Sequence, residues 1–206
     1  MSAPALSVGR FVVRTLLLLP PCFAAWYFTA AYYAAVVGPL ALQLVEPWRT
    51  GLVSALERSG FMLAFVTGVE TRAAPGQVGF LVAEVNPLVY TYGLALFVAL
   101  MLATRARPWK IAAGAVALLP FHAWSVAFDF LAQVGVLSGP EVAMQAGLSG
   151  WRREAIALGY QAGTLIFPSL VPVLLWAGFN RAFIAGLRPQ AADRVRQRTD
   201  PGAVRT

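Results

Sequence analysis

Charge is what this sequence has least of. Only 12% of its 206 residues are Asp, Glu, Lys or Arg, against 59% hydrophobic. A soluble domain carries about 25% charged residues, so this chain lacks the polar surface to cover a water-facing globule. Its mean hydropathy of +0.67 calls for a bilayer as solvent. A single cysteine, Cys22, excludes an intrachain disulfide. A single histidine, His122, leaves only that pair for any site needing two Cys or His ligands. Zinc-ligand spacing, a Gly-rich phosphate loop and a paired-carboxylate signature are all missing, so neither a metal nor a cofactor is expected. The alternating ten-residue segments of an outer-membrane barrel do not recur, and no inverted repeat of a transporter is visible.

What is there is a set of long apolar runs. A spanning helix needs about 20 such residues, and backbone groups in lipid must pair within their own segment. The expected fold is therefore an all-α integral membrane protein of about four transmembrane helices, at about 15–45, 85–104, 110–137 and 155–181. These form one domain over 1–187, with an insertion at 46–84 and a disordered basic tail at 188–206. The first run is too long for a signal-peptide core. Leu19-Pro20-Pro21-Cys22 is a poor lipoprotein box because Pro21 is not small, and the proline pair is expected to kink the helix.

Basic residues set the orientation. Eleven of the sixteen fall on one side: Arg10, Arg14, Arg105, Arg107, Lys110, Arg181 and five arginines of the tail, against Asp193 and Asp200. The other side holds Arg49, Arg58, Arg72, Arg152 and Arg153 with six glutamates. The first side is the cytoplasm by this rule, which places both termini of a multi-pass membrane protein inside. The net charge of +7 and pI of about 10.3 are then a topology signal, and nucleic acid is not an expected partner; membrane lipid is.

Outside the membrane, Pro47 to Gly60 reads as an amphipathic surface helix, with Trp48, Leu52, Val53 and Leu56 at helical spacing. Phe61 to Val66 and Val78 to Ala83 are rich in β-formers around Pro75-Gly76, which predicts a β-hairpin; continuation of a helix through Val69 is the alternative. Residues 138–154 predict a short helix between turns, with Trp151 at the interface.

Polar groups inside spans are costly and are functional candidates by default. His122, Ser125, Asp129 and Gln133 share one helical face, and Asp129 is placed to pair with Arg152 or Arg153. Gln161, Thr164, Pro168 and Pro172 share another, as do Cys22, Trp26, Thr29 and Tyr33. The candidate site is an outer-half cluster of Asn86, Tyr90, His122, Asp129, Gln133, Arg152, Arg153, Tyr160 and Gln161. The competing reading is interhelical hydrogen bonding that only fixes packing. A Cys22–His122 catalytic pair lacks a supporting motif, and no catalytic residue is assigned. Gly159 and Gly163 have the spacing of a helix-contact surface for a partner.

Several strings together resemble the exosortase H-associated membrane protein family. They are Asn86-Pro87-Leu88-Val89-Tyr90-Thr91-Tyr92-Gly93-Leu94, Phe128-Asp129-Phe130-Leu131, Pro75-Gly76-Gln77-Val78-Gly79, and the run from Leu148 to Gln161 leading into Pro168 and Trp176. The resemblance covers most of the chain from Arg10 to Leu187 and carries no catalytic signature. It implies a non-enzymatic inner-membrane accessory protein whose partner is the exosortase or the C-terminal sorting signal of its substrate. The alternative from the residues alone is a membrane-embedded enzyme or transporter using Asp129.

Overall fold

A computed structural model describes residues 8–74 and 77–186. The expected tail at 188–206 and the Pro75-Gly76 turn lie outside the described residues. The elements run in the order α1 (Val8–Val45), β1 (Val53–Ser59), β2 (Met62–Ala74), β3 (Gln77–Val85), α2 (Leu88–Thr91), α3 (Gly93–Ala103), α4 (Pro108–Ala132), α5 (Pro140–Gln145), α6 (Trp151–Gln161) and α7 (Phe167–Phe179). Two five-residue π-helical segments extend the ladder, Gln133–Leu137 after α4 and Ala162–Ile166 between α6 and α7.

Three helices are long and apolar enough to cross a membrane: Val8–Val45, Pro108–Leu137 and Trp151–Phe179. The second expected span is the shorter apolar segment Leu88–Ala103, interrupted at Tyr92 where α2 gives way to α3. α1 stays helical through Pro20, Pro21 and Pro39. At 1.5 Å per residue its 38 residues extend about 57 Å, well beyond the ~30 Å hydrocarbon core. Its outer surface is lined by Leu17, Phe28 and Tyr32, each more than two-thirds exposed. Such a surface is stable against lipid and would be a large unsatisfied patch in water.

The segment expected as a surface helix is instead a strand. Residues 47–50 form turns, and β1 then pairs antiparallel with β2, Ser59 opposite Met62 and Leu56 opposite Phe65. The register shifts between Val53 and Ala55. That irregularity turns Val53 and Leu56, three residues apart, into the two partly buried positions of β1, and so imitates helical periodicity. Gly60 takes φ +62° at the first position of the two-residue loop to β2, as a type II′ hairpin requires. The β2–β3 hairpin forms as the β-formers predict and is longer, making an antiparallel sheet in the order β1-β2-β3. The short helix expected in 138–154 is α5.

The sheet does not stand apart from the helices. Phe65 stacks on Phe130 of α4 with centroids 4.7 Å apart. Gly38 of α1 lies beneath Leu56 and Leu63, where a Cβ would sit 3.2 Å from each. One core joins Val37, Ala41 and Val45 of α1, Leu63 and Phe65 of β2, Val126 and Phe130 of α4, and Ile156 of α6. A second core at the opposite end joins Phe97 and Met101 of α3, Leu118 of α4 and Trp176 of α7, with Phe11 packed against it. The bundle thus has a sheet end and a basic end. At the latter, Phe11 stacks on Trp176, and Lys110 Nζ donates to the Phe179 carbonyl at 3.2 Å. This brings the start of α1, the α3–α4 turn and the end of α7 together, with Arg14, Arg105, Arg107, Lys110 and Arg181.

Candidate functional site at the sheet end

α4 carries the polar stripe, and each member meets a different neighbour. His122 Nδ1 lies 2.7 Å from the Tyr33 hydroxyl of α1. His122 is fully buried and its Nε2 has no partner among the described residues. Ser125 Oγ lies 2.9 Å from both the Phe121 and the Gly163 carbonyls. The second contact has a clear cause. In a π-helical segment each carbonyl accepts from the residue five positions on, as Ala162 does from Phe167. The donor due to Gly163 would be Pro168, which has no N–H, and the Ser125 hydroxyl takes its place.

Asp129 lies one turn further along α4. Tyr90 of α2 and Tyr160 of α6 are its neighbours, and Gln133 Nε2 is 3.4 Å from Asp129 Oδ1. The same Gln133 nitrogen donates to the Glu84 carbonyl at 2.9 Å, which ties α4 to the end of β3. Asn86 Oδ1 accepts from the Leu88 amide at 3.0 Å and shapes the turn from β3 into α2. The arginines go elsewhere. Arg152 Nη1 donates to the Trp48 carbonyl at 2.8 Å and to the Gly147 carbonyl at 3.1 Å, and Arg153 reaches the Val136 carbonyl at 3.4 Å.

Of the nine expected residues, four converge: Tyr90, Asp129, Gln133 and Tyr160. Asn86 stands beside them as a turn former, and His122 sits two turns away with Tyr33. Gln161 is exposed and outside the cluster. The expected Asp129–arginine pairing does not form among the described residues: Asp129 meets Gln133, and the two arginines donate to the Trp48, Gly147 and Val136 carbonyls. Cys22 packs with Ala95 and Ala99, and His122 answers to Tyr33, which is eleven residues, about 16 Å, further along α1. Gly159 and Gly163 face α4 of the same chain: a side chain at Gly159 would collide with the Phe128 ring and one at Gly163 with Ser125. Their surface is occupied within the molecule.

Sequence reasoning missed an aromatic row across the same region. Trp124 stacks on Phe128 at 4.3 Å, Trp48 meets the edge of Phe128 at 5.4 Å, and Trp151 lies 6.4 Å from Trp48. Trp124 Nε1 also donates to the Gly159 carbonyl at 3.1 Å. The signal available was the spacing of Phe121, Trp124 and Phe128 on one α4 face. Among the described residues no group of three or more His, Cys, Asp or Glu is arranged around a metal. A cavity of about 330 Å³ at this end is lined by Arg49, Leu52, Val69, Glu70 and Gln145 and does not include Asp129. The polar cluster therefore lies where α2, α4, α6 and the end of β3 meet.

The profile of the exosortase H-associated membrane proteins matches residues 5–183. The chain belongs to this family. No curated protein and no solved structure matches it. Membership identifies a membrane protein associated with exosortase H, and the strings singled out above fall where the family member builds its sheet end: Asn86 to Leu94 at α2–α3, Phe128 to Leu131 against the sheet, and Leu148 to Gln161 along α6.

Proposed function

We propose that this protein is a non-enzymatic accessory subunit of an exosortase H protein-sorting system in the bacterial inner membrane. It crosses the membrane four times, with both termini cytoplasmic and the sheet end on the outer face. The fourth crossing is Leu88–Ala103, packed between α1 and α7, and the excess of basic residues on the side of the chain termini supports the orientation. The observation that carries the reading is the sheet end itself. A three-stranded sheet with no further strand on the outer edge of β1 or β3 among the described residues, and with Phe80 63% exposed on β3, is fixed on the bundle as a platform. An extended sorting signal or an exosortase loop can add to such an edge through main-chain hydrogen bonds.

Co-purification from native membranes in mild detergent is the test. Exosortase or a sorting-signal substrate should accompany the full-length chain, and a charged substitution on the edge strand, Val82→Glu, should release it. Recovery of the chain alone from cells that express both would end the proposal. Phosphatase and fluorescent-protein fusions at each loop test the four crossings independently.

The half-buried Asp129 on the polar stripe of α4 supports a second reading, an enzyme or transporter working through this carboxylate. Asp129→Asn separates the two. Under the accessory reading sorting continues and the partner stays bound. Under the second, sorting stops while the protein still accumulates with its partner.

A further inference from the structure

A groove of about 440 Å³ runs along the flank of the bundle between α1 and α3. Its walls include Leu18, Cys22, Ala25 and Thr29 of α1 and Leu94 and Val98 of α3, and they are almost wholly apolar. The two helices are antiparallel here. Leu18 and Leu102 lie at one mouth, and Trp26 Nε1 donates to Thr91 Oγ1 at 3.2 Å at the far end. The α1 wall from Leu18 to Thr29 is about 17 Å long at 1.5 Å per residue. A groove of this length with an almost wholly apolar lining can take one alkyl chain lengthwise.

Its open mouth has a charge pattern of its own. Arg14 lies four residues before Leu18, on the face of α1 that lines the groove. Arg105 lies three residues past Leu102, with φ +54° in the turn that ends α3. Both arginines stand beyond the same mouth. Residues 8–45, 85–128 and 155–186 contain no Asp or Glu. An apolar slot opening between two cations near the membrane surface has the form of a basic interhelical lipid pocket. We propose that it holds one acyl chain of an anionic phospholipid whose phosphate is bound by Arg14 and Arg105. The site is at the end of the bundle remote from the sheet and does not rest on the accessory role.

Native mass spectrometry of the full-length protein, purified in mild detergent and offered phosphatidylglycerol or phosphatidylethanolamine, tests this. One phosphatidylglycerol should be retained in preference to phosphatidylethanolamine. Arg14→Gln and Arg105→Gln should each lower retention about five-fold, the factor equivalent to ~1 kcal/mol per surface arginine. Ala25 is exposed on α1, so Ala25→Phe can fill the groove without disturbing the core and should abolish retention. Ala24→Phe, next to it and outside the groove, should leave retention intact. Equal retention of the two lipids, retention undiminished by Ala25→Phe, or equal loss in Ala24→Phe would each overturn the proposal. Should the alanine variants fail to accumulate, the arginine pair decides it. Capture of a partner protein's helix by a maleimide crosslinker at Cys22, with no lipid retained, would overturn it in favour of a helix-docking groove.

Discussion

At the basic end one short turn joins α3 to α4 and most of the contact is apolar: Phe11 stacks on Trp176 at 5.2 Å and Phe183 closes on both, with one long-range bond from Lys110 to the Phe179 carbonyl. At the sheet end long-range polar bonds are added to the packing. Gln133, Arg152, Arg153 and Trp124 each donate to a backbone carbonyl of another segment. The difference follows from what each end must do. A short turn satisfies its own backbone, whereas the sheet, α5 and the loops about it carry carbonyls that only distant side chains can reach. The sheet end is a built surface, and the basic end is a boundary with charged water-facing residues.

The largest expected effect tests whether packing or polar bonding dominates at the sheet end. Gly159 has the Phe128 ring where its Cβ would be, and Phe128 supports both Trp124 and Trp48. Gly159→Leu should cost about 3 kcal/mol or more and remove the monodisperse peak in fluorescence-detected size exclusion. The matching change at the basic end, Gly114→Leu against Phe97, should be as severe. If only one of the two is damaging, the ends differ in packing as well as in polar bonding.

Next in size is Arg152→Met. It keeps the aliphatic stem but leaves the Trp48 and Gly147 carbonyls without their donor. Unsatisfied carbonyls cost about 1–3 kcal/mol each when buried, so Tm should fall and protease cleavage within 46–52 should rise. Arg107→Met at the opposite end, where the side chain is exposed, should leave both readings where they are.

These two residues also show how far the sequence could be read. Apolar length identified three of the helices, and β-formers around Pro75-Gly76 identified the β2–β3 hairpin, because both signals are local. β1 was hidden because its bulge spaces Val53 and Leu56 like a helix. The stripe on α4 was legible from offsets alone, and so was the convergence of Asp129 with Gln133. The partners were not. Arg152 binds the Trp48 carbonyl 104 residues away, and a backbone acceptor leaves no residue type to recognise. Likewise nothing in the chain marks Tyr33, 89 residues from His122, as its partner. Ser125 was visible as polar, but its purpose depends on a π-helical turn and on the missing amide of Pro168.

Ser125→Ala is the smallest effect and sharpens the contrast most finely. The hydroxyl supplies the one donor that Pro168 cannot, so its removal should destabilise by about 0.6–1.7 kcal/mol, the range for interhelical hydrogen bonds in membranes. Ser125→Ala with Pro168→Ala restores an amide to the π-helical ladder in the same step that removes the hydroxyl. The double change should therefore recover most of the loss, and a double-mutant cycle on Tm should show coupling of the two sites. Simple additivity would mean that the Gly163 carbonyl finds another partner when Ser125 is gone, and that the α4–α6 contact is held by Trp124, Phe128 and Gly159 alone.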